Sequence, residues 1–444
     1  MAPPLSERSL HFAQNPPFVS VLGKVFSSIY HPTNNPEGYI NLAVAENTLS
    51  SNMLCQIFHQ ISINNPLKPH HLNYTNFCGD IEFREPLVKN LFNKYIFKRD
   101  DPTDSEFSRE FSNINNYFVL NGAGDVIEML AATICDATEY IMIPSPLYLG
   151  FENDLNKRFF NNVLPVHMPY NSTTRSFDLN MDLVRRCYEE NCGTKKIKGF
   201  LLCNPNNPTG DLFGASIIRQ LIDFCKEKNI HFISDELYAL SVFNPEASFK
   251  SAASIMTEDD RDFVHIIYSF SKDFCLNGFR VGVLFTLNKD VKAVFDTCSY
   301  FTGVSSQTQH TLAHFLKDEN TLANYLKENN TSLLAQYKEM CKILDEHQVQ
   351  YVDTSAGLFV WFNIERLMKQ AIARKHPQID INLTLTKEEE YEVWTDIVDH
   401  AKVNVSPGTF YKTELTGWTR VCFSAQPLST LKIAMDRVFN YLKK

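Results

Sequence analysis

At 444 residues the chain exceeds what one compact core holds and suits two or three domains. Its content, 44% hydrophobic, 12% aromatic and 21% charged, is that of a folded globular chain and excludes a largely disordered protein, a collagen-like repeat and a disulfide-stapled miniature. A formal charge of −9, with only short basic stretches such as Lys195, Lys196 and Lys198, excludes a dedicated nucleic-acid binder, which needs a basic stripe.

The opening stretch MAPPLSERSLHFAQNPP has neither a basic n-region nor an apolar h-region, so no secretory signal is read there. No apolar run approaches the roughly 20 residues that a membrane span needs. Eleven scattered cysteines, an odd number without a CxxC pair, suit reduced thiols rather than a disulfide framework. A cytoplasmic protein without membrane attachment is expected, and no metal-ligand set is expected.

In chain order, the first 50 residues read as irregular and too few for a domain of their own. From about 113 to 286, short apolar runs alternate with helical stretches. The runs fall at 117–120, 140–143, 163–168, 199–203, 231–234, 263–268 and 281–285, rich in Val, Ile, Leu and Phe and bounded by Gly, Pro, Asn or Asp. Runs of that length and composition are strands buried on both faces. Between them, in 215–228, Ile218, Leu221, Ile222 and Cys225 recur at helical spacing while Arg219, Asp223, Lys226 and Glu227 turn away. This alternation predicts an α/β fold: a three-layer α/β/α large domain around a mostly parallel seven-stranded sheet. Beyond it come a long helical stretch at 311–346, a strand at 358–363, a helix at 389–400, a strand at 420–424 and a last helix at 428–441. These predict a smaller α+β domain built from both chain ends. The expected division is 52–325 for the large domain, with 1–51 and 326–444 for the small one.

Four segments lie where strands of the α/β part end, the usual address of ligands in open sheets. Asn121-Gly122-Ala123-Gly124-Asp125 joins a strand to a helix, where free N–H groups and the helix dipole favour a phosphate; a tight turn that packs a helix on the sheet is the alternative. Asn204-Pro205-Asn206-Asn207-Pro208-Thr209-Gly210 is a rigid turn, either a plain loop or one that presents the Asn207 amide at a set angle. In Ser234-Asp235-Glu236-Leu237-Tyr238, Asp235 ends an apolar strand, so it caps a helix or seeks a cationic partner, with Tyr238 three residues on. In the fourth, running from Ser269 to Arg280, Lys272 follows an apolar strand between hydroxyls, and Arg280 precedes the next strand. A lysine in a desolvated pocket becomes a usable nucleophile and base, and an arginine clamps phosphate. A nucleophilic lysine, a buried acid for a ring nitrogen, a Tyr/Asn pair for a phenolic oxygen and a Gly/Ser/Arg cup for phosphate together meet the needs of pyridoxal 5′-phosphate.

With these segments in place, the chain resembles the fold-type I aminotransferase superfamily and, within it, the 1-aminocyclopropane-1-carboxylate synthase-like group, from about Tyr39 to Arg437. The resemblance is carried by AVAENTLS, YTNFCGDIEFREPL, PSPLYLGF, NPNNPTG, SDELY, SFSKDFCLNGFRVG, SSQTQH, SAGLFVW, NVSPG and GWTRVCFS. It implies that Lys272 bonds the cofactor and then moves the substrate Cα proton. Asp235 faces the pyridine nitrogen, Asn207 and Tyr238 hold the ring's 3′ oxygen, and Tyr148 stacks on the ring. Phosphate is implied at the Ala123 and Gly124 amides, Ser269, Ser271 and Arg280. Arg420 is implied for the substrate α-carboxylate, and Glu46 and Asn207 beside the substrate. Tyr74 is implied as a residue that reaches a neighbouring subunit's site, which makes a homodimer the expected assembly.

The reaction expected from the resemblance is that of a lyase on S-adenosylmethionine, in which a Cα carbanion expels a leaving group from Cγ and closes a cyclopropane. Three departures from the synthases qualify it. Phe77 stands two residues before Gly79 where they carry tyrosine, Leu147 replaces the first of paired tyrosines, and Thr209 is more usual in transaminases. An aminotransferase or β-lyase acting on an aromatic or sulfur amino acid is the alternative. A fold-retaining, non-catalytic regulator is the third, against which intact Lys272, Asp235 and Arg420 count.

Overall fold

The computed structural model describes residues 3–14, 17–99, 105–380 and 382–444; the remaining positions, which belong to both expected domains, lie outside the described residues. The seven apolar runs form one sheet. Its strands are β1 (Tyr117–Leu120), β2 (Tyr140–Ser145), β3 (Asn162–His167), β4 (Ile197–Cys203), β5 (His231–Asp235), β6 (Val264–Ser269) and β7 (Gly282–Thr286). They lie in the order β3-β2-β4-β5-β6-β7-β1. Four ladders are parallel, and β7 alone runs antiparallel to its two neighbours, β6 and β1.

Residue alternation explains why these strands read as continuous apolar runs. Phe200 and Leu202 of β4, Ile266 and Tyr268 of β6, and Val283 and Phe285 of β7 enter one core. The intervening Leu201, Cys203, Ile267 and Leu284 enter another on the opposite face. The first face is covered by helices Ser51–Asn64, Ala215–Lys228 and Ser306–Lys317, the second by Ala123–Ile134, Phe151–Asn156 and Lys289–Cys298. With both faces buried, each large apolar strand residue contributes about 1.5–3 kcal/mol. The α/β/α layering is therefore the one anticipated.

A further core gathers residues from both ends of the chain: Val25, Tyr39, Ile40 and Leu42 pack with Leu333, Met340, Leu344 and Val438. Its antiparallel sheet consists of β8 (Gln350–Tyr351), β9 (Phe359–Asn363), β10 (Ser406–Pro407) and β11 (Trp418–Cys422), in the order β8-β9-β11-β10. Ile40–Asn41 pairs in parallel with Val403–Asn404 as a separate two-stranded sheet beside it.

Two expectations need correction. The stretch 311–346 is two helices, Ser306–Lys317 and Glu319–Glu346, because Asp318 leaves helical geometry (φ −85°, ψ 86°) and its carboxylate accepts from Thr321 N as the N-cap of the second. An aspartate favours that capping role over a helix interior. The first 50 residues are not wholly irregular: Glu7–Phe12 and Pro17–Ser27 are helical, and Val25 of the second is fully buried.

Buried Glu390 organises the loop that precedes β11. Its carboxylate accepts from Thr409 N (2.7 Å), Thr409 Oγ1 (2.6 Å) and Gly417 N (2.7 Å). Replacing it strands buried donors, so Glu390→Ala is expected to cost about 3 kcal/mol in urea unfolding. Glu390→Gln, which keeps acceptors on one side only, is expected to cost less.

Candidate active site

The C-terminal ends of β4, β5 and β6 open onto a cavity of about 200 Å³. Nine of the ten cofactor residues expected from sequence line it: Ala123, Gly124, Tyr148, Asn207, Asp235, Tyr238, Ser271, Lys272 and Arg280. The tenth, Ser269, stands behind the wall. Its hydroxyl lies 2.9 Å from both Ser271 Oγ and Val281 O and accepts from Ser271 N, so it braces Ser271 rather than reaching the cavity.

The anion end of the cavity is the start of helix Ala123–Ile134. Gly122 caps it at φ +92°, and a Cβ there would overlap the Arg280 guanidinium. Only glycine lets the backbone turn so close to that arginine. Arg280 Nη1 donates to Asn277 O (3.1 Å), which holds the guanidinium beside the helix N-terminus. Tyr148 forms another wall, and its ring folds so closely over Gly150 that a Cβ at Gly150 would collide with it.

Lys272 lies in the turn Phe270–Asp273 directly after β6, and its Nζ donates to Ala45 O (2.8 Å). Burial, followed by the Arg420 charge, lowers its pKa from 10.5 to about 8. Asp235, at the end of β5, accepts from Leu237 N (3.3 Å), and burial pushes its carboxyl up to about 7. A buried carboxyl in that state gains from a cation placed against it. The Tyr238 hydroxyl is buried without a hydrogen-bond partner. Asn207 Oδ1 accepts from Arg420 Nη1 (2.9 Å). An acid short of a cation and an orphaned phenol beside an amine and an anion cup are the donor set that a phosphorylated pyridine aldehyde satisfies.

Lys272 and Tyr148 also face a second cavity, of about 220 Å³, where Arg420 projects from β11. Arg420 is 2% exposed. Its Nη2 donates to Ala43 O, its Nε has no partner, and the Phe359 and Tyr411 rings lie 5.2 and 5.4 Å from the guanidinium carbon. Among the described residues no carboxylate pairs with it. A buried guanidinium served by an amide, a carbonyl and two rings is set to receive an anion.

Two expected residues line neither cavity. Tyr74 is 91% exposed, with its ring 5.9 Å from that of Phe77. The Glu46 side chain is exposed, but its charge acts on Lys272 in the direction that raises the lysine's proton affinity, and its backbone oxygen accepts from Ser424 Oγ (2.8 Å). Sequence reasoning in turn passed over Asp154 in the first cavity, pushed up to about 7 by burial and by Glu128 and Asp235, and Phe18, Leu22, Trp394 and Phe410 in the second. The helical spacing of Phe18, Leu22 and Val25 was the available signal for the N-terminal part of that lining.

The Lys272 environment makes a chemical prediction for cofactor-free protein. Its labelling by an amine-specific reagent, followed by mass spectrometry, is expected to rise with pH through about 8, while exposed lysines respond about two units higher. Arg420→Gln removes a like charge and is expected to move the Lys272 profile upward.

Residues 37–438 match the family model described as aminotransferase class I and II. A Mus musculus protein named probable inactive 1-aminocyclopropane-1-carboxylate synthase-like protein 2 is 32% identical over 418 residues, 93% of this chain and 67% of that one. The 1-aminocyclopropane-1-carboxylate synthase of Glycine max is 30% identical over 434 residues, 93% of this chain and 82% of that one. Among solved structures, the aromatic aminotransferase of Pyrococcus horikoshii superposes with a TM-score of 0.71 at 20% identity, over 91% of this chain and 96% of that one. The Thermotoga maritima aspartate aminotransferase gives 0.72 at 19% identity, over 99% and 100%. Fold, cavity and relatives converge: the chain belongs to the class I and II aminotransferase family of pyridoxal-phosphate-dependent enzymes, alongside the 1-aminocyclopropane-1-carboxylate synthase-like group.

Proposed function

We propose that this chain takes the Cα proton from an amino acid whose carboxylate is held by Arg420, and that its reaction is the γ-elimination and ring closure of S-adenosylmethionine. The observation that carries the proposal is the buried Arg420, with no carboxylate partner among the described residues, on the same cavity as the low-pKa Lys272. In this reading the incoming carboxylate displaces Ala43 O from Arg420, while Asn207 keeps the guanidinium plane fixed. Lys272 would hold the cofactor through its amine, and its Nζ, in the same cavity as Arg420, would accept the substrate's Cα proton. Pyridoxal phosphate, when bound, supplies the electron sink for the charge left at Cα. Asp235 holds the proton at the pyridine nitrogen, Tyr238 and Asn207 orient the ring through its 3′ oxygen, and Ala123, Gly124, Ser271 and Arg280 hold the phosphate. Ser269 positions Ser271. The aromatic wall of Phe18, Tyr148, Trp394 and Phe410 suits a sulfonium bearing an adenosyl group, through cation–π contact and stacking.

The same apolar wall favours a second reading, transamination or β-elimination on an aromatic or sulfur amino acid. One carbanion serves both reactions, and geometry around Cγ and the cofactor carbon selects between them. Holoenzyme incubated with S-adenosylmethionine is expected to release methylthioadenosine. Turnover of amino acids only with a 2-oxo acid acceptor would assign the second reading, and neither product would refute both. Lys272→Ala is expected to abolish the borohydride-reducible chromophore and activity. Arg420→Lys is expected to raise KM at least about tenfold, because a point charge cannot replace the two-bond fork.

We further assign a homodimer, with residues 52–325 and the two chain ends as its cofactor and smaller domains. Leu72, Tyr74, Tyr300 and Phe301 are 59–91% exposed, and the rings of Tyr74, Phe77, Tyr300 and Phe301 form a contiguous chain at 5.0–5.9 Å. Such a patch on a soluble surface is a contact face. Tyr74 then completes the neighbour's site, so mixed Tyr74→Ala and Lys272→Ala proteins are expected to recover activity that neither has alone.

A further inference from the structure

Outside both cavities, three side chains from three elements converge. His71 belongs to the turn Pro69–Leu72, Glu82 to the first turn of helix Ile81–Pro86, and His310 to helix Ser306–Lys317. A ligand atom of each lies within 4.8 Å of the others. We propose that His71, Glu82 and His310 bind a divalent cation of the zinc class.

The imidazole of His310 carries the argument. It is 8% exposed, and its Nε2 lies 3.0 Å from Asn65 O, which fixes the ring proton on that nitrogen. Its Nδ1, left as a lone pair, is buried without a partner. A ring anchored through one nitrogen by a backbone carbonyl, with the other bare and further donors alongside, is the arrangement in which histidines hold metals. Left empty, a buried lone pair is an uncompensated desolvation cost. His71, also 8% exposed, stacks against it with ring centroids 4.1 Å apart.

The surroundings add a donor. His314, one turn after His310, lies with its ring 4.7 Å away, which gives a helical i, i+4 histidine pair. His71 enters at a cost. Its Nδ1 accepts from Lys68 N (3.0 Å), and coordination through either ring nitrogen gives up that hydrogen bond, because binding through Nε2 moves the ring proton to Nδ1. Two imidazoles and a carboxylate, with His314 or water as the fourth ligand, form a zinc-type set rather than a calcium or magnesium one.

The ion would fasten both ends of segment 73–80 to helix Ser306–Lys317, reinforcing the hydrogen bond from Asp80 N to Gln309 Oε1 (2.6 Å). This site does not rest on the proposed reaction, and its test is separate. Chelator-stripped holoenzyme is titrated with zinc chloride by calorimetry, with magnesium chloride as the control. One zinc per chain is expected, with X-ray absorption showing two imidazoles, or three where His314 is the fourth ligand, and a rise in melting temperature. His310→Ala and Glu82→Gln are each expected to weaken binding at least about 100-fold while leaving the visible cofactor spectrum unchanged. Glu82 is exposed, so its variant tests the site even where His310→Ala compromises folding. No zinc binding, or zinc held equally by wild type and Glu82→Gln, overturns the proposal.

Discussion

Two cations, the ammonium of Lys272 and the guanidinium of Arg420, face the same gap, and among the described residues neither forms a salt bridge, although the Asp235 carboxylate shares the cavity with Lys272. What they share is one short segment: Ala45 O accepts from Lys272 and Ala43 O from Arg420. Carbonyls are weak counter-groups for full charges, so both cations stay undersatisfied. That condition lowers the lysine's proton affinity and leaves the arginine receptive to an anion. Most of the architecture serves this arrangement. The sheet ends at Lys272 and Asp235, β11 brings Arg420 across from the other core, and residues from the chain's beginning thread between them.

Much of the fold was legible because strands buried on both faces cannot hide. Runs such as Phe200–Leu202 and Ile266–Tyr268 alternate between two cores, and no polar side chain interrupts them. The loops at the strand ends were legible for the complementary reason: Lys272 and Asp235 are ionisable groups at the ends of apolar segments, where plain packing does not call for them. Asp318 was missed because one aspartate in a polar helix is common, and only its dihedrals reveal a cap. The helix Pro17–Ser27 was missed because its apolar face, Phe18, Leu22 and Val25, is short and follows prolines.

Other expected residues stand apart from the lining. Ser269 was expected at the phosphate, and its hydroxyl is held by Ser271 and Val281 O behind the wall, contacts that spacing alone does not reveal. Tyr74 and Glu46 lie in matching motifs yet stand outside the cavities of a single chain. For Tyr74 the proposed role at a neighbouring chain's site accounts for this: within its own chain its ring meets the surface ring of Phe77, and no hydrogen bond among the described residues draws it inward. The unpartnered Nδ1 of His310 was invisible for the opposite reason. Its significance depends on Asn65 and Glu82, more than 200 residues away, which no local pattern connects to it.

The helix Glu319–Glu346 belongs to both cores: Leu322, Tyr325 and Leu326 pack in the first, and Leu333, Met340 and Leu344 in the second. Between those groups lie nearly two turns, tied down by polar side chains. Asn329 Oδ1 accepts from Asn47 Nδ2 (2.8 Å) and Ser50 Oγ (2.9 Å), while Asn330 Nδ2 donates to Leu240 O (3.0 Å). A continuous helix resists stretching but bends with little cost, so it acts as an axle rather than a tether. Asn329 grips the segment just beyond Ala45, the same stretch whose carbonyls hold Lys272 and Arg420, so the joint between the two cores and the setting of the two cations are fixed by one strip of chain.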